Sequence, residues 1–213
     1  MSPPPLDLRL IVITDAALAE PRSIAEVVHR ALAAGAPAVQ LRDKNATASQ
    51  LYQQALRLRD LTSDYLALLF INDRLDVALA AGADGVHLGP HDLPVAAARA
   101  AASRAGRDNL LIGTSTDDPD RARQAARDGA DYIGCGAVFG TTSKSELGDE
   151  RIGTRRLAQV VESVQIPVVG IGGIDHDNIQ EVARTGAAGA AVISAVMGAR
   201  NLEDVVRSLL DTW

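Results

Sequence analysis

Eight times along the chain, a short run of β-branched and aliphatic residues gives way to a longer segment with apolar residues at helical spacing. No other property of the sequence restricts the fold as much. Strands and helices taken strictly in turn pack as a parallel sheet flanked by helices. The strand runs are Arg9–Thr14, Ala38–Arg42, Ala67–Ile71, Gly85–Leu88, Leu110–Gly113, Tyr132–Cys135, Pro167–Gly170 and Ala190–Ile193. The helical stretches are Ile24–Leu32, Ala48–Leu61, Leu75–Ala81, Val95–Ala102, Pro119–Arg127, Thr154–Val161, Asn178–Arg184 and Leu202–Leu210. Eight such units in 213 residues come to about 27 residues each, near the short end for a (β/α)8 barrel.

An internal echo points the same way. A glycine followed by alanine, Gly35, Gly82, Gly129 and Gly186, precedes every second strand, at separations of 47, 47 and 57 residues. Each stands where a helix must stop, and a left-handed residue there costs glycine no Cβ clash. Recurrence at every second unit fits a closed barrel of fourfold layout better than an open doubly wound sheet, which is the alternative. The expectation is an α/β fold, a single-domain (β/α)8 TIM barrel over residues 8–213. A flexible tail, residues 1–7, with Pro3, Pro4 and Pro5 in it, would lead into it.

Composition excludes several function classes. Twenty-one basic against 27 acidic residues give a net charge of −6, without the basic stripe of a nucleic-acid binder. Hydrophobic residues at 47% and charged residues at 23% describe a globular chain rather than a disordered one. The one cysteine, Cys135, rules out an intrachain disulfide and suits a reducing compartment. Met1–Asp7 has neither the basic nor the apolar region of a secretory leader, so a cytoplasmic location is expected. The longest weakly polar run, Gly186–Ala199, is too short to span a bilayer. Three tyrosines, two phenylalanines and one tryptophan are too few for a base-stacking platform. The partners expected are therefore small molecules, not nucleic acid or membrane, and a homo-oligomer is compatible with all of this.

In a barrel, the C-terminal ends of the strands and the loops after them carry the chemistry. The second strand ends Gln40-Leu-Arg42-Asp-Lys44, whose alternate positions put an amide and two cations on one side. Only two of the 21 basic residues are lysines, Lys44 and Lys144, retained either where a compact ammonium is needed or by chance on a solvated surface. The third strand ends Asn72-Asp73, and Asp92 follows the fourth. Two carboxylates at neighbouring strand ends can share a hard cation such as Mg2+, with phosphate oxygens and water completing the octahedron. The competing reading makes Asp73 and Asp92 helix N-caps, favoured by Pro94.

Ser115 closes the fifth strand, and Asp118-Pro119 reads as a helix cap. The longest loop, roughly 137–153, holds Thr141, Thr142, Ser143 and Lys144 and has the length to cover a ligand. Gly172-Gly173 after the seventh strand and Ile193-Ser194 after the eighth lie where barrels of this kind hold a phosphate. His87 reads as a packed histidine, and Cys135 as a small buried residue rather than a nucleophile. The sequence brings together neither a Ser–His nor a Cys–His pair.

Taken in order, Gln40-Leu-Arg-Asp-Lys44, Ile71-Asn-Asp73, Gly85-Val-His-Leu-Gly89 with Asp92, and Phe139-x-Thr-x-Ser-Lys144 resemble the thiamine phosphate synthase family. The resemblance runs from Val12-Ile-Thr-Asp15 to Val192-Ile-Ser-Ala195. It implies a transferase that joins a hydroxymethylpyrimidine diphosphate to a thiazole phosphate, or its carboxylated form, and releases pyrophosphate. Gln40, Arg42, Lys44, Asn72, Ser115 and Lys144 would then hold the diphosphate, with Arg42, Lys44, Ser115 and Lys144 acting in catalysis. Asp73 and Asp92 would hold Mg2+. Thr141, Thr142, Ser143, Gly173, Ile193 and Ser194 would contact the thiazole phosphate. The chain departs from the family pattern at Pro90-His91, where glutamine often follows the HLG segment, at Asp117 in place of histidine, and at Ala137 in place of proline. None of these changes removes a charge the chemistry requires. A thiazole-phosphate tautomerase would need a proton-shuttling base but no acid pair. A phosphate sensor would keep the Gly173 and Ser194 region but has no use for two acids and two lysines.

Overall fold

The computed structural model describes residues 6–140 and 151–213. Residues 1–5 of the expected tail lie outside them, and so do Thr141, Thr142, Ser143 and Lys144. The strands are β1 (Leu10–Ile13), β2 (Ala38–Leu41), β3 (Leu68–Asn72), β4 (Gly85–Leu88), β5 (Leu111–Ser115), β6 (Tyr132–Gly136), β7 (Val168–Ile171) and β8 (Gly189–Val192). Each is parallel to the next and β8 returns to β1, so the sheet closes into a barrel and the open-sheet alternative falls. The helices are α1 (Ala16–Ala19), α2 (Ile24–Ala33), α3 (Ala48–Asp64), α4 (Leu75–Ala80), α5 (Val95–Arg104), α6 (Pro119–Arg127), α7 (Gly153–Ser163), α8 (Ile179–Ala183), α9 (Ser194–Met197) and α10 (Leu202–Leu210). Among the described residues no helix is long and apolar enough to cross a membrane.

Sequence patterning misses α1 and α9. A four-residue helix is barely one turn and leaves no periodicity to read. It also ends β3 and β5 too early. Asn72 and Ser115 are polar strand residues, which break an apolar run but not a backbone ladder.

The four echo glycines all have positive φ, +103°, +65°, +96° and +80° in chain order, as their helix-stopping role requires. In two of the echoes an aspartate follows two residues later, and the structure shows its use. Asp84 accepts the Leu69 N–H at 2.7 Å and pairs with Arg59 at 2.5 Å. Asp131 does the same with the Ile112 N–H at 2.6 Å and Arg99 at 2.5 Å. Arg99 further donates to the Leu110 and Gly129 carbonyls. These clusters sit at the N-terminal ends of the strands, where barrels keep their stabilising contacts. Asp131→Ala is expected to cost about 2 kcal/mol by orphaning a backbone N–H and a guanidinium. Turnover should not change, and urea unfolding alongside steady-state rates checks both.

Inside the barrel large and small residues face each other. Gln40, Phe70, Gly85 and Leu111 pair side by side in one row, and Asn72, His87, Gly113 and Tyr132 in the next. A Cβ on Gly85 would lie 2.6 Å from the Phe70 ring, and one on Gly113 2.1 Å from Tyr132 Cζ. The two glycines thus make room for the two rings, which meet edge to face at 5.4 Å. The floor is filled, and open space begins only above it.

Candidate active site

Above that floor a narrow cavity is lined by Ile11, Ile13, Gln40, Arg42, Asn72, His87, Tyr132, Gly134, Val169, Ile171, Ala191 and Ile193. Gln40, Arg42, Asn72 and Ile193, four of the residues singled out from sequence, thus share one chamber. Gln40 is 3% exposed, and its amide is the most enclosed of the set. Fully buried Thr14, the residue after β1, holds the Arg42 backbone. Its hydroxyl accepts the Arg42 N–H at 2.9 Å and donates to the Arg42 carbonyl at 3.1 Å. Asp43 fixes the following turn by accepting the N–H groups of Asn45 and Ala46 and the side-chain amide of Gln54. Sequence reasoning passed over both residues, because neither carries an obvious chemical role.

The two aspartates meet. The Asp92 carboxyl lies close enough to Asp73 to oppose its charge, and Arg42 and Lys44 both act on Asp73 through charge. Gly89 makes the meeting possible: a Cβ there would lie 2.9 Å from Asp92 Oδ2 and 4.0 Å from Asp73 Oδ1. Asp73 is in the left-handed region at φ +64°, a conformation aspartate tolerates, with its N–H on the His87 carbonyl at 2.8 Å. Asp92 Oδ2 accepts the Gly89 N–H at 2.7 Å. The N-cap positions of α4 and α5 are Arg74 and Pro94, without side-chain cap bonds, so neither aspartate caps a helix. Asp118 does cap α6, on the N–H groups of Asp120 and Arg121. Burial, with Asp92 adding to it, pushes the Asp73 carboxyl up to about 6 against the pull of Lys44 and Arg42. Two carboxyls forced together beside two cations form a donor set suited to a hard divalent cation.

Ser115 gives a correction. Its Oγ lies 2.8 Å from His87 Nε2, so the fold does create a Ser–His pair, contrary to the reading from sequence. The two residues are 28 apart in the chain and meet because β4 and β5 are neighbours in the barrel. His87 is accordingly more than a packing residue. Its other nitrogen, Nδ1, lies 2.9 Å from the Tyr132 hydroxyl. Cys135 is buried, and burial pushes its thiol up to about 12, in keeping with a non-nucleophilic role.

At the far side of the mouth, Gly172 and Gly173 take φ of +98° and +65°. A Cβ on Gly173 would lie 2.4 Å from the Gly140 carbonyl oxygen, and the Phe139 N–H bonds the Gly172 carbonyl at 3.0 Å. Glycine there lets the segment after β6 close against the end of β7. Asn178 holds the Gly173 carbonyl at 2.8 Å. Ile193 lies under the mouth, and Ser194 is the exposed first residue of α9. A second acidic group, Asp175, His176 and Asp177, has its ligand atoms within 4.8 Å of one another, but Asp175 uses its carboxylate to cap the local turn on the Asp177 N–H.

Fold and rim together define a barrel enzyme, a single-domain (β/α)8 protein with its polar cluster at the C-terminal strand ends. The family model described as thiamine monophosphate synthase matches residues 10–196, and the chain belongs to that family. A thiamine-phosphate synthase of Pyrococcus furiosus is 47% identical over 202 residues, covering 95% of this chain and 93% of the relative. One of Chloroflexus aurantiacus is 45% identical, covering 96% and 92%. The solved thiamine phosphate pyrophosphorylase from Pyrococcus furiosus superposes with a TM-score of 0.87 at 46% identity, covering 97% of this chain and 95% of that one.

Proposed function

We propose that this chain is a thiamine phosphate synthase, a transferase that joins a hydroxymethylpyrimidine diphosphate to a thiazole phosphate, or its carboxylated form, and releases pyrophosphate. The observation that carries the site reading is the Asp73–Asp92 contact beside Arg42 and Lys44 at the mouth of the Gln40 chamber. Asp73 and Asp92 would hold Mg2+, which supplies charge neutralisation on the departing diphosphate.

The chain's own residues supply the rest. Gln40 and Asn72 sit inside the chamber, where amides can orient the pyrimidine ring. Arg42, Lys44 and Ser115, with Lys144 from the segment outside the described residues, stabilise charge as it builds on the leaving group. The methylene–oxygen bond breaks and its electron pair departs with the diphosphate. The electron-rich aminopyrimidine carries the positive charge left on the methylene. The thiazole nitrogen then donates its lone pair to form the carbon–nitrogen bond, so no protein nucleophile is required. Gly173, Ile193 and Ser194, with Thr141, Thr142 and Ser143, place the thiazole phosphate across the mouth. Holding both substrates in one chamber orients them and keeps water from the cationic carbon. On this reading the partners are two small molecules in the cytoplasm.

Purified protein given Mg2+ and both substrates is expected to release one pyrophosphate per thiamine phosphate formed. A chelator should stop turnover and excess Mg2+ should restore it. Absence of product above background would overturn the assignment.

A further inference from the structure

Tyr132 is fully buried on the barrel floor, and among the described residues its hydroxyl has one hydrogen-bond partner, His87 Nδ1 at 2.9 Å. Burial holds the phenol well above its ordinary value, so it stays a neutral O–H. That proton needs an acceptor, because an orphaned buried hydroxyl is costly. Nδ1 can accept it only if it carries no proton of its own. The imidazole proton must then sit on Nε2, which faces Ser115 Oγ at 2.8 Å. In a nucleophilic Ser–His pair the polarity is the reverse: Nδ1 donates to a carboxylate, and bare Nε2 takes the serine proton. Here His87 donates to Ser115. One lone pair of Oγ is occupied, and among the described residues no other group bonds Oγ, which leaves the serine proton for a ligand.

We infer that Tyr132 and His87 are positioning residues that fix Ser115 as a hydrogen-bond donor to the diphosphate leaving group. This rests on the proposed placement of Ser115 at the pyrimidine diphosphate. The surroundings are shaped for the arrangement. Gly113 leaves the space the Tyr132 ring fills. A Cβ on Gly134 would lie 2.9 Å from His87 Cε1 and 3.7 Å from Ser115 Oγ, so glycine there keeps imidazole and hydroxyl together. The chain Tyr132 O–H to Nδ1, Nε2–H to Oγ, Oγ–H to substrate runs in one direction, each bond polarising the next. It moves no proton in the reaction. It sets in advance which way the serine donates, so no reorganisation is needed as charge develops.

The test reads both tautomer and rate. In wild-type protein with 15N-labelled histidine, His87 is expected to show a protonated Nε2 and a bare Nδ1 at neutral pH. A protonated Nδ1 would overturn the inference without any variant. Ser115→Ala should lower kcat about a hundredfold, the usual effect of losing one preorganised donor. Tyr132→Phe keeps the ring and is expected to lower kcat about tenfold, with KM for the thiazole phosphate unchanged. His87→Gln, whose amide can still donate to Oγ, should retain more activity than His87→Leu. In a Ser115→Ala background, Tyr132→Phe should have less than a twofold effect, since nothing remains to be oriented. Equal losses with and without Ser115 would make Tyr132 merely structural and overturn the inference. An inactive wild type would overturn the function itself. An active wild type with the wrong tautomer would overturn the orientation alone.

Discussion

Asp92→Asn is expected to lower turnover about a thousandfold while leaving the melting temperature at neutral pH unchanged or higher. The rate effect follows from the chemistry of the leaving group. A diphosphate departing from carbon develops charge that a divalent cation offsets by several kcal/mol, and about 4 kcal/mol corresponds to a thousandfold in rate. The stability effect follows from the crowding of the acid pair. The folded protein holds the Asp73 proton up to about 6, against 3.8 ordinarily, because burial and Asp92 both oppose its charge. Between those values the folded state binds more proton than the unfolded one. Stability of the metal-free protein therefore falls as pH rises through that window, and the penalty is fully present above it. Asparagine at 92 removes one of the opposing charges and can still accept the Gly89 N–H. Added Mg2+ should raise the melting temperature of the wild type and leave the variant unmoved, since only a ligand bound to the folded state stabilises it. Near-wild-type turnover, or an equal Mg2+ shift in both proteins, would remove Asp92 from the cation site.

What could be read from the chain divides along physical lines. Alternation of apolar runs and helical periods is a local signal, and it located every barrel strand and the eight longer helices. The echo glycines were readable because a left-handed stop demands one residue type. The acid pair was only half readable. An aspartate before a helix looks the same whether it caps or binds, and only the left-handed backbone of Asp73 and the Gly89 bond of Asp92 separate the two. The Ser115–His87–Tyr132 chain was not readable at all. Its members are 28 and 45 residues apart and meet through strand register. A faint signal was present in Gly113 facing Tyr132, a small residue paired with the largest buried one, but it takes the barrel to know that they face each other.

The same register makes Gly189→Ala the most damaging single methyl the fold can receive, and a comparison with Gly82→Ala shows why. Gly82 is one of the echo glycines, whereas Gly189 is the first residue of β8. Gly82 is needed for its backbone: φ is +65°, and a Cβ there would meet nothing within 4 Å. Alanine at 82 therefore pays only the left-handed strain, about 1 kcal/mol. Gly189 is needed for its emptiness. A Cβ there would lie 1.8 Å from the Leu8 carbonyl oxygen and 2.7 Å from Arg9 Cα, where β8 closes on β1. These are backbone atoms, so no side chain can rotate away. Relief requires opening the seam on which the Ala190 N–H to Arg9 carbonyl bond and the Leu10–Ala190 pairing depend. Overpacking at such a site costs about 3 kcal/mol or more. For a chain of this size that is a fall of about 10 °C in melting temperature, against about 3 °C for Gly82→Ala. Thermal unfolding of the two variants side by side decides the matter. If Gly82→Ala proved the more damaging, backbone conformation rather than space at the closing seam would set the larger cost.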